Sequence, residues 1–256
     1  MKALAIDRHS LCDAEQQTKM LEESERLSKI LLDSVSHEMR TPIAVIISAA
    51  CKLKEAQDPT KVPWAMVDEI QEAACRLNRL VGNLLNLTRL ESGHVKPNLD
   101  WHDVEDLICV TLKEIERDLA GHSVVPEITK GIPLVRMDFV LMQQVLTNLL
   151  LNAVVHTPSE TSVQVRAITQ DGVLTISVLD DGPGFPDYAL AFLFDKFYRA
   201  PSARAGGTGL GLAIVKGLVE AQGGHVEAAN RPEGGAAFRI RLPVSKSPPV
   251  PGEAIS

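Results

Sequence analysis

The chain has 256 residues, 45% of them hydrophobic and 23% charged, a balance able to bury the core of one large or two modest domains. Its net charge of −7 argues against nucleic acid as a main partner, because a phosphate backbone calls for a basic footprint. No apolar run approaches the roughly 20 residues that span a bilayer, and Met1–Asp13 lacks the charged-then-apolar pattern of a signal peptide. The expectation is a cytoplasmic chain with no membrane segment, any anchor belonging to a longer parent protein.

In chain order, residues 14–53 hold few breakers, and Leu27, Leu31, Val35, Met39, Ile43, Ile46, Ala50 and Leu53 recur at spacings of three and four, a helical stripe. Pro42 interrupts it and is expected to bend the helix. His37 lies about 160° around from the stripe at 100° per residue, hence on the outer face. Asp58-Pro59 and Pro63 mark a turn. A second helix is predicted from about Trp64 to Ser92, with Met66, Ile70, Ala73, Leu77, Leu80, Leu84 and Leu87 forming a coiled-coil seam and Gly93 ending it. Two helices with stripes this wide predict a hairpin that pairs with a second copy, a homodimeric four-helix bundle.

Beyond Gly93 the pattern becomes α+β. His94–Leu99 reads as a short strand and Asp103–Leu119 as a helix with Val104, Leu107, Ile108, Leu112, Ile115 and Leu119 on one face. Strands are predicted near Val124–Ile128 and Pro133–Met137. Asp138 is placed to cap a helix over Phe139–Val155. Thr161–Thr169 and Val173–Leu179 flank Asp171-Gly172, a hairpin turn. Tyr188–Phe197 reads as helical, Ala200–Thr208 as flexible, and about Leu210–Ala221 as a helix. His225–Ala229 and Ala236–Leu242 form a last hairpin around Glu233-Gly234-Gly235, and 244–256, rich in proline, reads as a disordered tail. The resulting fold class is α+β: helices on one face of a mixed sheet. The four cysteines, Cys12, Cys51, Cys75 and Cys109, show no CxxC pairing and read as reduced, semi-buried thiols.

Five clusters carry chemistry. His37-Glu38-Met39-Arg40-Thr41 puts an imidazole beside a carboxylate, with a hydroxyl one helical turn on, an arrangement for moving a phosphoryl group on and off a ring nitrogen. Asn148 and Asn152 lie one turn apart on one helix face, and an amide oxygen suits Mg²⁺ held jointly with phosphates. Asp180-Asp181-Gly182-Pro183-Gly184 follows an apolar strand; a carboxylate there can accept from an adenine amino group while the glycines let backbone approach the base. In Phe194-Asp195-Lys196-Phe197-Tyr198-Arg199 the aromatics can pin a mobile loop and Arg199 suits phosphate oxygens. Gly206-Gly207-Thr208-Gly209-Leu210-Gly211 runs into an apolar helix, and bare amides at a helix start hold anionic phosphates. It lacks the Lys-Ser/Thr ending of a P-loop, and no βαβ unit surrounds it.

In this order and spacing the clusters resemble the sensor histidine kinase family, with an α/β-sandwich ATP-binding domain of the class shared with gyrase, the Hsp90 chaperone and MutL-type repair proteins. The resemblance spans roughly residues 20–243. Arg89-Leu90-Glu91-Ser92-Gly93, Trp101 and Gly121-His122 look like the potassium-responsive Kdp-type members.

The resemblance implies that His37 is the phosphoacceptor, Glu38 its acid/base partner and Thr41 the hydroxyl that aligns water for dephosphorylation. It implies ATP and Mg²⁺ as cofactors, with Asn152 the metal ligand beside Asn148. Asp180, Gly182 and Gly184 would receive the base, Arg199 and Lys196 would serve the phosphates, and Thr208, Gly209, Leu210 and Gly211 would form the second glycine box. Arg199–Thr208 would be the ATP lid. His156, at a pocket position, would pack near the nucleotide.

It further implies a homodimer whose partner is the receiver domain of a response regulator. The expected domains are an N-terminal segment (1–19), a dimerisation and phosphotransfer hairpin (20–93), an ATP-binding domain (94–243) and the tail. One departure stands out: Val155 occupies a place where the family often carries lysine, and His156 follows it. A phosphatase-dominant member and a nucleotide-responsive dimeric scaffold remain as alternatives.

Overall fold

The structure is a computed structural model, and it describes residues 35–36, 38–53, 64–200 and 208–244. The contacts divide the chain into two compact units, Met1–Gly82 and Asn83–Ser256. His37, the turn expected at Asp58-Pro59 and Pro63, residues 201–207 of the expected lid and the tail from 245 lie outside the described residues.

In the first unit, α1 covers residues 38–53 and α2 runs Trp64–Glu91. Helical backbone continues through Pro42, which is buried; a proline deletes a single intrahelical bond. The inward line of α1 differs from the expected stripe. Met39, Pro42, Ile46, Ala49 and Leu53 are buried or half-buried at spacings of three and four, whereas Ile43 is exposed. On α2 the expected seam is turned inward: Ala73 and Leu87 are buried and the other five positions half-buried. Gly93, with φ of 66°, ends α2: its N–H donates to Leu90 O (3.1 Å) and that of His94 to Arg89 O (3.0 Å), the crossed bonds of a Schellman cap.

The second unit begins within α2 and continues with β1 (Asp100–His102), α3 (Val104–Glu114), β2 (Ser123–Ile128), β3 (Val135–Met137), α4 (Phe139–His156), β4 (Ser162–Gln170), β5 (Val173–Asp180), α5 (Asp187–Leu190), α6 (Gly211–Ala221), β6 (His225–Asn230) and β7 (Ala236–Pro243). A five-stranded mixed sheet runs β2-β4-β5-β7-β6, parallel only between β2 and β4; β1 and β3 form a separate antiparallel pair. Asp171 (φ 52°) and Gly172 (φ 75°) make the two-residue turn of the β4–β5 hairpin, as the Asp-Gly pair predicts. Alternation then sorts the faces: Val163, Val165, Ala167, Leu174, Ile176, Val178, Phe238, Ile240 and Leu242 are buried. On the other face, cross-strand pairs such as Arg166–Glu127 (2.9 Å) and Arg241–Glu227 (2.8 Å) meet solvent, each contributing at most about 1 kcal/mol.

The core helix is α4. Met142, Val145, Leu146, Leu149, Leu150 and Ala153 are buried, and the helix packs against α3, α6 and β5. By length and composition it could cross a membrane, with a mean hydropathy of 1.4 over 18 residues. Its six buried residues pack against those neighbours, as in the core helix of a folded domain. Asp138 caps α4, its Oδ1 accepting from Leu141 N (3.1 Å). Its Oδ2 accepts from Asn98 N (2.8 Å), so residues 94–99 are an irregular segment tied to a cap rather than the expected strand.

A second correction concerns 188–197. Only Asp187–Leu190 is helical, and the chain then advances by three-residue turns, with Phe197 at φ 65°. The aromatics take distant partners there: Phe194 meets Phe238 edge-on at 6.5 Å. Cys51, Cys75 and Cys109 are free and exposed, not half-buried.

Buried Gln222, just past α6, joins two helix ends. Its Oε1 accepts from Asp138 N (2.8 Å) and its Nε2 donates to Leu218 O (3.1 Å). Gln222→Met keeps the volume but strips the acceptor from the Asp138 amide. A loss of about 1–3 kcal/mol in urea unfolding is expected, and an unchanged midpoint would rule this role out.

Candidate functional site

β5 delivers Asp180 to its C-terminal end, where the residue is 4% exposed. One carboxylate oxygen is fully used: Oδ1 accepts from Gly182 N (3.0 Å) and Ala236 N (3.2 Å). Among the described residues, Oδ2 takes no hydrogen bond, so it is the oxygen left to receive a donor. Burial pushes the Asp180 pKa up, opposed by those two backbone bonds and by the nearby Arg231 charge.

The glycines beside it leave no room for side chains. A Cβ on Gly182 would lie 2.6 Å from Thr157 Cγ2. Gly184 has φ of 69°, and its Cβ would lie 2.9 Å from Asn230 Oδ1. Thr157 closes α4 by donating Oγ1–H to Ala153 O (2.8 Å), which leaves His122 Nε2 to donate to Thr157 Oγ1 (3.1 Å). The end of α4 therefore abuts the turn that holds Asp180.

Asn148, Asn152 and His156 lie one turn apart along α4. The Asn148 Nδ2 is buried and has no hydrogen-bond partner among the described residues. Helix direction brings the second glycine box to the same region. The bond from Asp138 N to Gln222 joins the start of α4 to the end of α6, so the two run antiparallel. At about 1.5 Å per residue, the 11 residues of α6 carry its start level with α4 near Asn148 and Asn152. Thr208 and Leu210 are buried; Gly209 has φ of 69° and accepts from Phe197 N through its carbonyl (3.1 Å). Among the described residues, no side chain caps the α6 start and none fills the space where a Gly211 Cβ would stand.

Of the two predicted phosphate contacts, one already has a partner. Lys196 is engaged elsewhere, its Nζ donating to Glu91 Oε1 (2.7 Å) at the end of α2. Arg199 is exposed, on the stretch leading into residues outside the description. Val155 is 43% exposed and brings no cation. Glu38 (half-buried) and Thr41 (exposed) belong to the first unit, where Thr41 lines a groove of about 510 Å³ with Arg40, Ala44, Val45, Ser48 and Glu69. Residues that sequence reasoning missed are Asn230, Arg231 and Gly235, which surround the Asp180 turn from the β6–β7 connection, and Thr157. Their only signal was turn chemistry at Glu233-Gly234-Gly235.

The chemistry of this end of the sheet fits a purine nucleotide: an acceptor oxygen in a dry place, glycine-lined approaches, a buried amide donor without a partner and an uncapped helix start. The fold and site define an ATP-binding domain of the gyrase and Hsp90 class. Residues 137–246 match the family described as histidine kinase-, DNA gyrase B- and HSP90-like ATPase, and residues 27–93 match the His Kinase A phospho-acceptor domain. This chain belongs to the sensor histidine kinase family.

It is similar to the sensor protein KdpD of Escherichia coli K12, 34% identical over 248 residues, which is 96% of this chain and 28% of that protein. The chain thus spans just over a quarter of the length of that relative. Among solved structures it resembles the mycobacterial sensor histidine kinase MprB, with 30% identity, a TM-score of 0.52 and coverage of 57% of this chain and 98% of that one. It also resembles full-length ShkA in complex with AMPPNP, with 26% identity, a TM-score of 0.62 and coverage of 88% and 47%.

Proposed function

We propose that this chain is the catalytic core of a two-component sensor kinase that phosphorylates its own His37 from ATP and passes the group to an aspartate of a response-regulator receiver domain. The observation that carries the reading is Asp180: a buried carboxylate with one oxygen saturated by backbone and the other open, in a chain that also contains a phospho-acceptor domain match. Residues 20–93 serve as the phosphotransfer hairpin and 94–243 as the ATP-binding domain. Exposed Ile43, Val45, Ile47, Val81 and Leu85 on α1 and α2 support a homodimer. Cytoplasmic placement follows from the need for ATP and a regulator.

In this reading Asp180 accepts from the adenine amino group, and the start of α6 with Thr208, Gly209, Leu210 and Gly211 receives the phosphates. Asn152, beside Asn148, would hold Mg²⁺, which would offset negative charge on the phosphates. An amide oxygen is a neutral, hard ligand that would share the ion with phosphate oxygens. A His37 ring nitrogen attacks the γ-phosphorus, the N–P bond forms, the bond to the bridging oxygen breaks and ADP leaves. Glu38 holds the proton on the other ring nitrogen and stabilises the charge that develops. Thr41 aligns water for regulator dephosphorylation.

Incubation with γ-labelled ATP and Mg²⁺ tests the reading. Wild type should acquire acid-labile, base-stable label; His37→Gln should acquire none, and Asn152→Ala should slow labelling by about 100-fold or more. Label on His37→Gln would overturn it. The exposed Val155 favours one second reading, a phosphatase-dominant member: no label on wild type, with regulator dephosphorylation intact, is its signature.

A further inference from the structure

We infer that Asn230 and Arg231, at the end of β6, are positioning residues that aim the Asp180 carboxylate at the nucleotide base and so set the preference for adenine. This rests on the reading of Asp180 as the acceptor of the adenine amino group. The two residues are far from Asp180 in sequence and are separated from β5 by a whole strand, yet their polar atoms converge on the turn that follows it.

Asn230 spends its side chain entirely on that turn. Its Oδ1 accepts from Phe185 N (2.8 Å), and its Nδ2 donates to Phe185 O (2.7 Å) and to Asp187 Oδ1 (3.2 Å). The first two bonds form a closed amide–amide pair that fixes the plane of the Phe185 backbone. The loop from Gly182 to Gly184 is then held at both ends, by β5 and by Asn230. Gly184 approaches Asn230 so closely that a Cβ would crowd Oδ1.

Arg231 acts on Asp180 itself. Its Nη1 donates to the Asp180 backbone carbonyl (2.8 Å), while Nε and Nη2 donate to Glu233 Oε1 (3.2 and 2.8 Å), which fixes the guanidinium plane. The Arg231 side chain is 18% exposed, so the bond to Asp180 is shielded. Holding the carbonyl fixes the rotation of the Asp180 peptide. With Oδ1 already tied to Gly182 and Ala236, the remaining oxygen has one direction in which to face. The Arg231 charge also lowers the Asp180 pKa against the burial that raises it, favouring the ionised acceptor. An ionised acceptor selects an amino group at the purine 6-position and repels a carbonyl there.

Calorimetric titration of the full chain with ATP and with inosine triphosphate separates the possibilities, because the two differ at that position. Wild type should prefer ATP. Arg231→Met should weaken ATP binding about tenfold and leave inosine triphosphate unchanged, collapsing the preference. Asn230→Ala should do the same, and Arg231→Lys should restore part of it. Equal weakening of both nucleotides, or a preference retained in Arg231→Met and Asn230→Ala, overturns the inference. Absence of any preference in wild type, or full ATP affinity in Asp180→Asn, overturns instead the reading of Asp180 on which it rests.

Discussion

Asp180→Asn should lose ATP binding by about 100-fold, the worth of a hydrogen bond to a charged acceptor, while the folded chain becomes no less stable without nucleotide. The asparagine Oδ1 can still accept from Gly182 N and Ala236 N, so the turn keeps both of its bonds. The group lost is the open oxygen, replaced by an amide that presents donors to a donor. Stability moves the other way. Burial raises the carboxyl pKa above its unfolded value, so folding favours the protonated form.

The stabilisation from this group is therefore greatest below the unfolded pKa of about 3.9 and is lost as pH rises through the raised folded value. At neutral pH the wild type carries the desolvation cost of the charge and the asparagine variant does not. Thermal melts without nucleotide should show the variant equal or higher at pH 7, the gap closing on acidification toward the carboxylate range. Added ATP should raise the wild-type midpoint and leave the variant's unmoved. A variant that melts well below wild type at pH 7, or binds ATP as well, would contradict this account.

The sequence was legible where structure is local. The four-and-three spacing of α2, the Asp138 cap, the Asp171-Gly172 turn and the alternation of β4 and β5 depend on residues a few places apart. The chemistry of Asp180 and its glycines was legible as a motif. Illegible features arise from contacts over long sequence separations. Lys196 sits among aromatics that suggest a phosphate clamp, but its partner Glu91 lies 105 residues earlier. Gln222 reads as an ordinary polar residue after a helix until Asp138, 84 positions away, presents an amide to it. Asn230 and Arg231 look like hairpin punctuation because turn propensity explains them fully; their bonds reach back 45 and 51 residues. Segment 188–197 failed for the same reason, since Phe194 is committed to Phe238 and not to a neighbour one helical turn away.

Gly235→Ala should be among the most damaging single changes in the second unit, and the adjacent Gly234→Ala should be mild. Both glycines lie at positive φ, 90° and 102°, where a side chain costs of order 1 kcal/mol or somewhat more by backbone strain alone. They differ in what surrounds them. A Cβ on Gly234 meets open space, whereas one on Gly235 would overlap the Asp180 carbonyl oxygen and crowd the Asp181 Cα. Relief would require moving the β6–β7 connection away from β5. That connection carries the bond from Arg231 N to Gly235 O (2.9 Å) and the Ala236 N–H that feeds Asp180 Oδ1.

The cost should therefore reach about 3 kcal/mol or more, the range in which core clashes and lost buried hydrogen bonds combine. Urea unfolding of the two variants measures the difference directly, and ATP titration of whatever folded Gly235→Ala remains should show weakened binding. Equal destabilisation of the two would mean that strain alone operates there. A larger loss at Gly235 means that the close approach of this backbone to Asp180 is what holds the carboxylate in its place.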